Sequence, residues 1–487
     1  MSLGAVLNSA RSSLAAISGR TQVVSENISN SDNPDYSRRI AENVSARHGI
    51  LRLSINRAQD RNVLEQMLEY TSVHSANTAL QDGLDKLELI YGGMDSDVSP
   101  SAMMARLQAD LQAFTAMPDS PSAASRAVES ARDLAEGLSR GAETVAELRR
   151  GVDEEISRSV NRINDLLREF HEVNSAIATG RLSDAERVHN EDSRDRILTE
   201  LAEELDIRTV RQDDGGLAIY TTGGAVLYER GAREVRFEPQ PTLTPGAPGG
   251  RLYIDSVPVT GEGAVMRLSS GRISGLMELR DDVAAGWEIQ LDEMARGLIE
   301  SFSESDQSGG GGPDVPGLFT WSGAPAMPAP GVHVPGLARE IRVNPAADAT
   351  SGGNPLLLRD GGMGGAAYVY NASGVSGYTA RLLELNSNMD APLAFDPSAG
   401  LPNANSIKDF ASLSTSWLEH RRAAAARDSD YSSALLTRAS DALSRATGVD
   451  LDSELEMMMR LERSYQATAR LLTTVDNMLG ELMNAMR

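Results

Sequence analysis

Leu3-Gly-Ala-Val-Leu7-Asn-Ser-Ala10-Arg-Ser-Ser-Leu14-Ala-Ala-Ile17-Ser-Gly-Arg-Thr21-Gln-Val-Val24-Ser-Glu-Asn-Ile28 repeats small or apolar groups at alternating spacings of four and three. That alternation lays them along one narrow seam of an α-helix, the pattern that packs against a partner helix. The far end of the chain repeats it at Met458, Leu461, Tyr465, Thr468, Leu472, Val475, Leu479, Leu482 and Met486. Both seams are buried only if the first and last helices lie side by side, and the remaining chain must fold between them.

On pattern alone such seams are more often internal packing than assembly devices. Magnitudes favour assembly. Each buried Leu, Met or Val stabilises by about 1.5–3 kcal/mol, while ordering a residue costs about 1–2 kcal/mol. A lone pair of helices with one seam is therefore close to break-even, and neighbouring copies that cover the other faces would make it firm.

The chain of 487 residues has room for two or three domains. Hydrophobic residues make up 41% and aromatics only 4%, so Ala, Leu and Met supply the core and helices are favoured over sandwiches. The net charge of −23, with no basic cluster, argues against nucleic acid as a partner. Without cysteine, disulfide, thiol and zinc–thiolate chemistry are closed. No run of about 18 apolar residues would span a bilayer, and Met1-Ser-Leu-Gly-Ala-Val-Leu-Asn lacks the basic start of a secretory signal.

The expected fold class is mainly α with small β regions (α+β): a long rod-like helical body, a β-hairpin subdomain, and terminal helices paired as a coiled coil. Residues 1–35 form an N-terminal assembly helix that stops at Asn27 to Pro34. Residues 36–205 form a helical body with short strands at its start, around Ile40, Val44, Ile50, Leu51, Leu53 and Ile55. Helices then run from about Asp60 to Gly92-Gly93, over 101–116, over 122–178 and over 191–205. A bend or break is expected in the third of these at Gly137, Gly141 or Gly151, each costing about 1 kcal/mol against Ala.

Residues 206–270 are β-rich, with Asp214-Gly215-Gly216 as a hairpin signal. A helix follows over 271–302. Segment 303–404, rich in Gly and Pro, reads as irregular chain displayed on the outside, a reduced outer domain. The helical body returns over 405–448, and a capping box at Ser453 and Glu456 should start the C-terminal assembly helix within 449–487.

Catalytic constellations are weak. Gly137-Leu-Ser139-Arg-Gly141 matches the hydrolase elbow but sits in a helical run, where the required strand and sharp turn are missing. The glycine clusters at 309–312 and 361–365 lack the lysine of a phosphate loop, and the six histidines show no metal-binding spacing. Asp95-x-Asp97 and Asp213-Asp214 are too short for calcium loops. No catalytic, cofactor or metal residue is expected, and the chain reads as a non-enzyme.

The segment Asn27-Ile28-Ser29-Asn30-Ser-Asp-Asn-Pro34-Asp-Tyr36-Ser37-Arg38-Arg39 resembles the N-terminal signature of bacterial flagellar rod, hook and hook-associated proteins, N-I-[SA]-N-x-N-T-P-G-[YF]. Its Tyr-Ser-Arg continuation is similar to the hook-associated protein 1 branch. The tail Tyr465-Gln466-Ala467-Thr-Ala-Arg-Leu-Leu-Thr-Thr-Val475-Asp-Asn-Met-Leu479 resembles that branch as well. So do Asn190-Glu-Asp-Ser-Arg194-Asp195 and Gly271-Arg-Ile-Ser-Gly275-Leu-Met-Glu-Leu-Arg280-Asp281. Asp35 stands where the family usually has Gly.

The resemblance implies a structural protein at the hook–filament junction, exported by the flagellar type III apparatus with an export chaperone and without a cleavable signal. Its partners would be further copies of itself in a ring, the hook subunit and the second junction protein, with no nucleic acid, membrane insertion or cofactor. The seam residues Leu3, Leu7, Leu14, Ile17, Val24, Ile28, Met458, Leu461, Tyr465, Leu472, Val475, Leu479, Leu482 and Met486 would form its assembly interface. A hook or distal-rod subunit is the alternative, which the long helices over 60–178 fit poorly. A secreted serine hydrolase using Ser139 is the remote one.

Overall fold

The computed structural model describes residues 3–45, 51–91, 96–240 and 242–485, with side chains over 7–44, 53–89, 96–240 and 242–481. Ile50, Leu51, Gly92 and Gly93 fall outside the described side chains. Helix α1 (Leu3–Ser29) leads into the antiparallel strands β1 (Arg39–Ser45) and β2 (Leu51–Arg57), which pair Arg39 with Arg57. Four helices follow: α2 (Arg61–Tyr91), α3 (Pro100–Ala116), α4 (Pro121–Ala178) and α5 (Asp184–Glu204). Serine side chains cap α3 and α4 ahead of a first-turn proline: Ser99 accepts from Ala102 N at 3.2 Å and Ser120 from Ala123 N at 3.3 Å.

Two small antiparallel sheets come next, β3–β5 (Ile207–Arg211, Leu217–Thr221, Val226–Tyr228) and β6–β8 (Val235–Phe237, Leu252–Ile254, Val257–Pro258). In the first hairpin Asp214 Oδ1 accepts from Gly216 N at 2.9 Å, and Gly215 takes φ +87°, a value the missing Cβ permits. Helix α6 (Arg272–Glu278) passes through a π-helical turn (Leu279–Val283) into α7 (Ala284–Ser301). Gly275 is where α6 meets α2, since a Cβ there would lie 2.1 Å from Ala76 O.

The expected break in the long helix is absent: α4 runs unbroken for 58 residues, about 87 Å at 1.5 Å per residue. Burial overrides the cost of its glycines, because Leu134, Leu138, Val145, Ile156, Ile163, Leu167 and Phe170 are all fully buried. Gly137 makes room for Met103, whose Cε would be 2.5 Å from a Cβ, whereas Gly151 faces open space. Gly151→Ala should therefore stabilise the protein by about 1 kcal/mol in urea unfolding. A neutral or destabilising result would mean that α4 is strained there.

Segment 303–404 departs from expectation. It holds β9 (Phe319–Thr320), α8 (Leu337–Glu340), β10 (Arg342–Val343), α9 (Leu357–Asp360), α10 (Ala380–Asp390), β11 (Leu393–Ala394) and β12 (Ala404–Asn405). It is not displayed outside. Leu318, Phe319, Ala338, Leu358 and Leu382 are fully buried in the same core as α3, α7 and the first half of α4. Phe395 stacks on Phe410 at 4.0 Å. Its anchors are spaced irregularly along a Gly/Pro chain, so no periodicity marks them.

Helix α11 (Ile407–Thr447) returns along α2, and α12 (Leu451–Ala485) closes the chain. The start of α12 lies ahead of the expected capping box: Asp450 Oδ1 accepts from Ser453 N at 3.1 Å, so Ser453 is already inside the helix. The second core joins the latter half of α4 with α5, both three-stranded sheets and α6. Neither core includes a residue of α1 or α12 among the described residues.

Candidate assembly interface

Helix α1 lies against α12, so the chain ends meet. Val24, Leu461 and Val475 are buried, and Leu7, Leu14, Ile17, Ile28, Met458, Leu472 and Leu479 are half-buried. Tyr465 is 50% exposed. Leu3, Leu482 and Met486 lie outside the residues whose side chains are described. Helix α1 also buries Ala16 and Val23, a second face that the single stripe did not reveal. Gly19 on that face closes on Leu53 of β2, 2.6 Å from where a Cβ would stand. Leu451, Leu455, Met459, Leu471 and Met478 of α12 point away from this packing and are exposed.

The signature residues make the joint between this pair and the body. Asn27 is buried at the end of α1; its Oδ1 accepts from Arg39 N at 2.9 Å and from the Tyr36 hydroxyl at 2.8 Å. Its Nδ2 donates to Arg39 O at 3.0 Å, so one side chain closes the loop that follows. Asn30 Nδ2 donates to Glu26 O at 2.8 Å, and Asn33 Oδ1 accepts from Asp35 N at 3.1 Å. Asp35 thus sits in a side-chain-stabilised turn where the family usually has Gly. Burial pushes the Tyr36 hydroxyl up to about 12, and the Arg39 guanidinium stands 4.7 Å over its ring. Arg38 ties the loop to the last two helices: its N donates to Thr447 O at the end of α11 at 2.8 Å and its Nε to Glu454 Oε1 of α12 at 2.7 Å. Pro34 and Ser37 face the adjoining cleft, while Ser29, Gln466 and Ala467 are exposed.

A charge cluster fastens the hairpin to α5. Arg57 reaches Asp195 at 2.7 Å, Asp192 at 3.0 Å and Glu191 at 3.1 Å, and Arg39 reaches Asp192 at 2.7 Å. Burial works against the Arg57 charge, yet Asp195, Asp192 and Glu191 hold its pKa above the usual value. Burial raises the Asp192 and Asp195 carboxyls, opposed by Arg39 and Arg57 at Asp192 and by Arg57 and Arg194 at Asp195. The signature loop, α5, the β3–β4 hairpin and the end of α11 enclose a cleft of about 800 Å³. Sequence reading missed Arg57, Asp192 and Glu454, whose partners are more than a hundred residues away. Only the Arg38-Arg39 pair signalled that acids would be needed.

Ser139 lies in the middle of α4 and donates to Arg339 O at 3.2 Å, without the strand and turn of a nucleophile elbow. Among the described residues no group of three His, Cys, Asp or Glu could hold a metal ion, and no helix is long and apolar enough to cross a membrane. The arrangement offers helix faces and ion-paired joints for packing against other protein.

The model of the flagellar hook-associated protein FlgK helical domain matches residues 84–317. The model of the flagellar basal body rod FlgEFG protein C-terminal region matches residues 442–485. Among solved structures, the flagellar hook junction protein FlgK from Burkholderia pseudomallei is similar at 18% identity, over 53% of this chain and 47% of that one, with a TM-score of 0.42. The match thus spans about half the length of that protein. No curated protein matches the chain.

Proposed function

Since the chain belongs to the flagellar hook-associated proteins, whose helical domain it carries, we propose that it polymerises at the distal end of the hook and joins hook to filament. The observation that carries this reading is the agreement of residues 84–317 with the FlgK helical domain, between terminal helices that pair outside both cores. In this reading residues 1–35 and 449–487 form the inner assembly helices. Residues 60–300 and 406–446 form the mid-radius body, and the buried anchors of 303–404 join it. The partners are further copies of the chain, the hook subunit and the second junction protein. An export chaperone and the type III apparatus deliver it to the outside of the cell. Its role is mechanical and involves no catalysis.

A strain lacking this chain should make complete hooks without filaments and release flagellin into the medium, as seen by electron microscopy and immunoblotting. Missing hooks would move the protein to the rod or hook, and normal filaments would sink the reading.

A further inference from the structure

Three acids of α7 are buried: Glu288 and Asp292 are 2% exposed and Glu293 is fully buried. A buried carboxylate ordinarily needs a counter-charge, because taking it out of water alone costs several kcal/mol. Two of the three have arginines, whose charge is permanent: Arg149 and Arg339 hold Glu288, and Arg296 holds Glu293. Among the described residues Asp292 pairs only with His333, whose Nε2 lies 2.9 Å from its Oδ2. Within this set His333 is the cation whose charge can be removed near neutral pH.

His333 stands in the loop 329–336 ahead of α8 and joins three parts of the fold. Its ring reaches α7, and its backbone N donates to Asp396 Oδ2 at 2.9 Å, just past β11. Its Cε1 lies 3.1 Å from where a Cβ of Gly246 would stand. Asp292 also grips the end of the same loop, accepting from Gly336 N and Ala338 N at 2.8 Å each. The other acids nearby have further partners: Glu288 accepts from Gly246 N, Asp396 from Ser398 N, and Glu340 of α8 from the Ser322 hydroxyl. The stretch 242–250 around Gly246 brings no titratable side chain. Burial works against a charge on the ring, yet Asp292, Glu293 and Asp396 hold its pKa above the usual 6.5.

We propose that His333 is a proton-operated latch: charged, it clamps the loop 329–336 to α7, and neutral, it leaves Asp292 buried without a counter-charge and the loop loosened. The neutral ring can still donate to Asp292, so the hydrogen bond survives while the charge pairing does not. A histidine whose pKa is raised on folding adds stability that is complete below about pH 6.5 and is lost as the pH climbs through the raised value. Leu337 and Ala338 remain buried anchors of α8, so the change is confined to the loop before it. The latch operates within a single chain and is independent of the junction reading.

Hydrogen–deuterium exchange of the full chain tests it, with the unaltered protein and His333→Gln compared at the same pH so that intrinsic exchange rates cancel. Glutamine keeps a neutral donor and cannot be charged. At about pH 5.5 peptides within 329–336 should exchange about fivefold faster in the variant, the difference between a charged and a neutral hydrogen bond. At about pH 9 the two proteins should converge. An equal gap at both pH values would make His333 a plain packing contact, and no gap at either would make it idle; each result would overturn the latch. Proton NMR supplies a second readout. One of the histidine Cε1–H signals, identified by its absence from His333→Gln or His333→Asn, should titrate above about pH 6.5, and its midpoint should fall in Asp292→Asn. A midpoint at or below about 6.5 in the unaltered chain would overturn the latch as well.

Discussion

A chain lacking residues 1–35 and 450–487 should unfold cooperatively at nearly the temperature of the full-length protein, yet support no filament on the hook. Among the described residues neither core includes one of α1 or α12, so the truncation removes none of the residues of those buried clusters. What it removes is the packed pair, with Val24, Leu461 and Val475 inside and Leu455, Met459, Leu471 and Met478 exposed on the outer side of α12. An isolated helix pair of this kind gains little by itself, so in the proposed ring neighbouring copies would cover its outer face. Calorimetry of the purified truncation and flagellin leakage from cells that express it are the two measurements. A midpoint lowered by more than about 10 °C would show that the ends stabilise the monomer. Filaments on cells expressing only the truncation would remove the terminal helices from the mechanism.

Arg280→Met should lose about 3–5 kcal/mol in urea unfolding, the largest effect expected of a single substitution here. Arg280 is fully buried in the π-helical turn between α6 and α7. It pairs with Asp153 of α4 and with Asp281 at 2.8 Å, donates to Gly250 O at 2.7 Å, and lies 5.6 Å over the Phe237 ring. Its own carbonyl accepts from Arg149 Nε at 3.0 Å, which links it to a second buried pair, Arg149 with Glu288. Methionine fills the volume but leaves Asp153, only 2% exposed, without its cation. Adding Asp153→Asn should recover part of the loss, because a neutral amide needs no counter-charge. A loss under about 1 kcal/mol for Arg280→Met would mean that water reaches Asp153 and that the pair is not a true core contact.

Much of this architecture is legible in the chain. The two end seams, the Asp214-Gly215-Gly216 turn and the order of helices and strands are local signals. Each depends on spacings within one or two turns of backbone, and those spacings survive into the fold. The recognised motifs mark positions that the structure then explains: Asn27 closes a loop, Arg280 occupies a buried hub, and Gly275 lets α6 touch α2.

Tertiary structure alone decided the rest. Helix α4 stays whole across three glycines because two cores grip it, and helix propensity could only count the glycines. Segment 303–404 is interior because single anchors such as Phe319, Leu358 and Phe395 reach a core already built by other helices. Arg57 meets Asp192, and Arg38 meets Glu454, across 135 and 416 residues of chain. Periodicity records which face of an element is buried. It carries no record of which distant side chain completes a buried charge, since that pairing is set by where the packed elements bring their ends together.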